Sequence, residues 1–211
     1  MNALIQHAHC RRRVQARFLE LLSFRRPLRA FWGALFSLLL VNQPALAETP
    51  IDEQQDAAAD GQVEVINISG SVEVTGWEED EIAITGSLGR GVEGLDFVVD
   101  GDQTRIEVIY PKTGRSEGSD LEIRIPAGSS LDVRTVSASI EADGVIGRQW
   151  LNSVSGEVSS EIYASDLEAE TVSGSLHVSG SEQPTVMALK TVSGNIEATD
   201  VGGELDAGSV S

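Results

Sequence analysis

The sequence predicts an all-β fold, a single-chain β-solenoid or β-helix-like stack of short strands with coils of 18–20 residues, and three observations carry that prediction. Apolar residues alternate with polar ones at period two in short runs bounded by glycine-rich turns. No window holds a sustained helical stripe of useful length. A Thr/Ser-Val-Ser-Gly motif also returns through the second half with its valines 18, 18, 20 and 18 residues apart.

The first 47 of the 211 residues are a separate unit in composition. Residues 1–29 carry seven Arg and one acidic residue, whereas residues 48–211 carry eight basic and 32 acidic ones. The apolar run Ala30 to Val41 follows, then Ala45-Leu46-Ala47 before Glu48. A basic start, an apolar centre and a small-x-small end read as a secretory signal peptide cut between Ala47 and Glu48. Twelve apolar residues are too few for the roughly 20 that span a bilayer, so no transmembrane span is expected after cleavage. The expected location is therefore exported: periplasmic, outer-envelope or secreted.

Cys10 lies in the segment to be removed, and only His177 of three histidines lies beyond it. Disulfides, thiolate sites and cysteine nucleophiles are thereby excluded from the exported chain. A histidine-rich metal centre is excluded as well. The acidic balance, -18 for the whole chain, excludes nucleic acid as a partner, because phosphate binding needs a basic surface.

Residues 48–61 are small, acidic and without periodicity, and read as a flexible leader. The β-repeat domain is expected over 62–211. Its first runs, Val63–Val65, Ser71–Val74, Glu81–Ile84, Arg105–Val108 and Leu121–Ile125, each alternate as a strand with one buried face. The repeat rungs occupy 131–211, with Val136, Val154, Val172, Val192 and Val210 as position zero.

Positions −5 and −3 are apolar in nine of ten cases, Gln149 being the exception. Position +4 is Ile140, Val158, Leu176 and Ile196, and +2 is Ala138, Gly156, Gly174 and Gly194. These letters predict inward positions −5, −3, 0, +2 and +4, with a corner between −3 and zero because side chains alternate strictly along a strand. The valines would then stack inside a narrow aliphatic column. The outward letters −1 and +1 would form two hydroxyl ladders, Thr135, Ser153, Thr171, Thr191 and Ser137, Ser155, Ser173, Ser193, a candidate binding face. Val192→Asp is accordingly expected to unfold the repeat and Ser193→Asp to be nearly neutral.

Asn67-Ile68-Ser69-Gly70-Ser71-Val72-Glu73-Val74-Thr75-Gly76-Trp77, Glu81-Ile82-Ala83-Ile84, Leu121 through Val133 and the Thr-Val-Ser-Gly rungs together resemble the bacterial putative-adhesin family of exported β-strand-repeat proteins. The resemblance covers roughly Val63 to Ser211. It implies a solenoid-like fold and a cell-envelope setting, and it brings no catalytic motif. The pattern stops at Ser211 inside a rung, so the last rung is read either as truncated or as an open edge through which copies associate into a homo-oligomer.

Little chemistry competes with that picture. The run Glu78-Glu79-Asp80-Glu81 and the pair Asp100/Asp102 supply the oxygen ligands calcium takes, but their spacing matches neither an EF-hand nor a calcium-roll repeat, so no cofactor is expected, with calcium as the alternative. No Gly-x-Ser-x-Gly occurs, and His177 falls on an outward face among serines. Trp77 and Trp150 are the aromatic platforms a sugar would use, with Trp77 expected to cover the first end of the core and Trp150 to pack outside a corner. The expected function is non-enzymatic adhesion, scaffolding or docking, with an envelope protein or glycan as partner. The alternatives are a carbohydrate-active β-helix enzyme and an envelope-stress sensor domain.

Overall fold

In the computed structural model, residues 48–163, 165–180 and 184–210 are described, and they are all-β. In chain order the strands are β1 (Thr49–Asp56), β2 (Gln62–Asn67), β3 (Gly70–Trp77), β4 (Glu81–Leu88), β5 (Gly94–Asp100), β6 (Gln103–Ile109), β7 (Ser119–Pro126) and β8 (Ser130–Thr135). They continue as β9 (Ser139–Asp143), β10 (Gln149–Ser153), β11 (Val158–Ile162), β12 (Leu167–Thr171), β13 (Leu176–Gly180), β14 (Pro184–Thr191), β15 (Ile196–Thr199) and β16 (Gly202–Ser209). Two eight-stranded sheets result, in the orders β1-β4-β7-β3-β9-β11-β13-β15 and β16-β14-β12-β10-β8-β2-β6-β5. We call them the first and second sheet.

From β8 onward each coil lays one strand in the second sheet, turns a corner and lays the next in the first sheet, so every pairing between coils is parallel. The 18-residue spacing is the register itself: Leu151 pairs with Val133 and Ala169, and Val158 with Ile140 and Leu176. Two earlier coils belong to the same stack. Strands β2 and β3 pair with β8 and β9 on one side and with β6 and β7 on the other. The coil 62–77 therefore lies between coils 103–126 and 130–143, although it precedes both in the chain. Antiparallel strands finish this end, β1 and β4 on one sheet and β5 on the other.

The core is an aliphatic column between the sheets, with Leu131, Leu151, Leu167, Leu176, Ile140 and Met187 among its fully buried side chains. Gln149 joins it without cost because its amide is satisfied: Ser160 Oγ donates to Gln149 Oε1 at 2.7 Å, and Gln149 Nε2 donates to the Val145 carbonyl at 3.3 Å.

The inward face differs from the expected one at its most regular letter. Val136, Val154, Val172 and Val192 are exposed, at 45–47%, while Thr135, Ser153, Thr171 and Thr191 are buried. Inward positions run −5, −3, −1, then +2, +4 and +6, and the parity slips between −1 and +2, where two consecutive residues face outward. The hydroxyl at −1 goes inside because it closes the corner: Thr171 Oγ1 accepts the Gly174 N–H at 3.1 Å and reaches the Gly156 carbonyl of the preceding coil at 3.4 Å. Ser153 Oγ likewise accepts the Gly156 N–H at 2.8 Å. Valine at zero is left outside, where its backbone carbonyl accepts the +1 amide of the next coil.

Glycine at +2 is a steric requirement. A Cβ on Gly156, Gly174 or Gly194 would run into the backbone carbonyl of Ala138, Gly156 or Gly174 respectively.

Residues 48–61 are not a flexible leader throughout. Thr49–Asp56 pairs antiparallel with β4 along its whole length, buries Ile51, and donates from Gln55 Nε2 to the Phe97 carbonyl at 3.1 Å. Backbone pairing holds this polar edge strand, and a side-chain pattern with one buried aliphatic does not betray it. The expected signal peptide, its Cys10 and the Ala47 side of the cleavage position lie outside the described residues; Glu48 is exposed.

Candidate functional site

Two surfaces follow from this geometry. The first is the corner ridge. Of the hydroxyl ladders expected there, Ser137, Ser155, Ser173 and Ser193 stand exposed, whereas Thr135, Ser153, Thr171 and Thr191 are consumed in closing corners and offer a ligand nothing. The exposed ladder instead runs beside the aliphatic line Ile68, Val136, Val154, Val172, Val192 and Val210.

The second surface is a groove of about 710 Å³ on the outer face of the second sheet. Its floor is a row of outward side chains set by register: Arg105 on β6 pairs with Glu64 on β2, Glu64 with Asp132 on β8, Asp132 with Trp150 on β10, and Trp150 with Glu168 on β12. Five strands in a row, about 4.8 Å apart, give a floor about 19 Å long. Arg134 and Asn152, cross-strand neighbours one step on, form its rim.

The charges of the groove are already organised. Arg134 Nη1 donates to Glu64 Oε1 at 2.7 Å, and its guanidinium also contacts Asp132; Arg105 pairs with Glu107. Burial raises the Asp132 carboxyl above its ordinary value, against the opposing pull of Arg134. Trp150 is half-buried, with the Arg148 guanidinium 5.4 Å from its ring centroid and Arg148 held in turn by Asp166 at 3.1 Å. Trp150 thus sits on the face of a sheet rather than outside a corner.

The other residues singled out in the sequence are dispersed. Trp77 does not cover the core; its Nε1 donates to the Glu81 carbonyl at 2.8 Å and Arg124 lies 4.8 Å from its ring centroid. His177 faces outward between Glu157 and Glu197, 3.4 Å from each. Among the described residues no three His, Cys, Asp or Glu side chains are grouped to hold a metal ion, and no helix is long and apolar enough to cross a membrane. The groove itself escaped the sequence, although its signal was present at the outward letter −4, which reads Asp132, Trp150 and Glu168 in consecutive rungs.

Fold and surface define a class: an open, two-sheet β-repeat stack with a groove on the outside of one sheet. The chain belongs to the Toastrack DUF4097 family, whose model matches residues 56–211. No curated protein sequence matches it significantly. Among solved structures, a putative cell adhesion protein from Clostridium sporogenes is similar at 10% identity and a TM-score of 0.34, over 76% of this chain and 100% of that one. A putative adhesin from Bacteroides fragilis is similar at 10% identity and a TM-score of 0.28, over 77% and 98% respectively.

Proposed function

We propose that this is an exported, non-enzymatic, adhesin-like β-repeat protein that works in cell-envelope adhesion, scaffolding or docking. The observation that carries the reading is the 19 Å row of ion-paired side chains and Trp150 laid across five strands, about 4.8 Å apart. An extended rigid floor of this kind suits contact with an extended partner, whereas catalysis needs groups converging on one reacting bond. Export is supported by the basic, apolar and small-x-small succession that ends at Ala47.

The test is expression of the full chain in a bacterial host, followed by fractionation and mass spectrometry of its N-terminus. A mature chain beginning at Glu48 in the envelope or medium, together with a surface attachment defect on gene deletion, is the expected result. An unprocessed cytoplasmic chain would overturn the export reading, and turnover of a polysaccharide by the purified protein would overturn the non-enzymatic one.

A further inference from the structure

Resting on the adhesin-like role above, we propose that the groove on the second sheet binds a linear, uncharged oligosaccharide, with Trp150 as its stacking platform. The cavity, about 710 Å³, falls within the roughly 300–1,000 Å³ of small-molecule sites. Sugars present an apolar C–H face and a rim of hydroxyls that both donate and accept. Trp150 answers the first need, its ring oriented by Arg148.

The second need is met by side chains of both kinds. Glu64 keeps acceptor capacity beyond its bond to Arg134, and the Arg134 guanidinium has five N–H donors, of which its contacts to Glu64 and Asp132 leave others free. A hydroxyl inserts into such an array without breaking any ion pair. The amides of Gln62, Gln103 and Asn152 add paired donors and acceptors along the same groove.

Charge selects against the competing polymers. Four carboxylates line the groove, Glu64, Asp100, Asp132 and Glu168, against two guanidiniums, Arg105 and Arg134, so a polyanion meets repulsion. A polycation meets carboxylates of which three, Glu64, Asp132 and Glu168, already have a cationic partner. The floor rests on five hydrogen-bonded strands, so little ordering is required on binding.

The probes are hexasaccharides of β-1,4-glucan, α-1,4-glucan, β-1,4-xylan and β-1,4-N-acetylglucosamine, with heparin and oligolysine as charged comparators. Each is titrated into the isotope-labelled protein up to about 5 mM, where a millimolar Kd registers. The expected result is that at least one uncharged hexasaccharide shifts the amides of Glu64, Asp132, Trp150 and Glu168. Trp150→Ala should then weaken binding about tenfold or more, Trp150→Phe should restore part of it, and Trp77→Ala should change nothing. If Trp150→Ala does not fold, Asn152→Ala at the rim serves, with a smaller loss expected. The proposal is overturned if no uncharged hexasaccharide binds, if the shifts map elsewhere, if binding survives Trp150→Ala or the substitute Asn152→Ala unchanged, or if only heparin or oligolysine binds. Saccharide binding by a chain that stays in the cytoplasm would sink the export reading alone, and an envelope protein that ignores all four would sink this one alone.

Discussion

The first and last described coils bury their inward letters differently, and the difference shows what a neighbouring strand contributes. At the end built by β1, β4 and β5, antiparallel strands depart from the period, yet Ile51 and Phe97 on the outermost strands are still buried. At the end built by β15 and β16 the period is kept: Leu205 occupies the same letter as the buried Leu131, Leu167 and Met187 but is 42% exposed, and Ile196 is only partly covered. A coil buries its inward letters only against neighbours on both sides, so more of the same sequence never closes the column. At the first end antiparallel strands supply that cover.

Substitutions that act on one region and spare the other sharpen this contrast. The largest effect is expected at the corners. Gly174→Val drives a side chain into the Gly156 carbonyl and should abolish cooperative unfolding of the repeat in urea, whereas Gly208→Val in β16, where a Cβ meets nothing within 4 Å, should change the unfolding free energy by about 0.5 kcal/mol or less. Next comes the column: Leu151→Ala should cost about 2–5 kcal/mol, against less than about 1 kcal/mol for Leu205→Ala. Equal losses at the two leucines would mean that the last coil is covered as well as the central ones.

Smaller effects separate the two sides of one corner. Thr171→Val leaves the Gly174 amide without its acceptor and should cost about 1–3 kcal/mol by thermal or urea unfolding. Val172→Asp next to it should be tolerated within about 1 kcal/mol, because that side chain is exposed. The same reasoning reverses the expectation for Val192→Asp, which the structure makes as mild as Ser193→Asp.

The smallest effect is electrostatic. Asp132 has its folded pKa raised by burial, so the native state favours its protonated form; that contribution is present at low pH and is lost as pH rises through the folded pKa. Asp132→Asn should therefore gain stability relative to the wild type as pH rises through the acid range, a small change because the Asp132 side chain is partly exposed. A difference that does not vary with pH would remove burial as the cause.

Much of the architecture was legible because the letters that build the column are chemically unambiguous. Branched aliphatics at +4 and apolar residues at −5 and −3 gave the strands and the 18-residue register correctly. The corner was misplaced because hydrophobicity alone put valine inside and threonine outside. The hydrogen bond that reverses this, from the Gly174 amide to Thr171 Oγ1, rewards burial of a hydroxyl by an amount no hydropathy pattern registers. Strand β1 was missed for a related reason, since its backbone pairing to β4 holds it more than its side chains do. Of the groove, Trp150 was visible singly, but its neighbours Glu64 and Arg105 arrive from coils 86 and 45 residues away along the chain, and only the strand register joins them.

The coil at 62–77 emerges first from any machinery that delivers the chain from its N-terminus, yet it ends in the interior of the stack. Both of its edges must wait, one for residues 103–126 and the other for 130–143. The partners of both edges thus lie later in the chain than the coil itself, and a stall in delivery after residue 100 would leave that coil with two unpaired edges. Threading order and stacking order are decoupled here, and the interval between them is when this molecule is most open to pairing with the wrong strand.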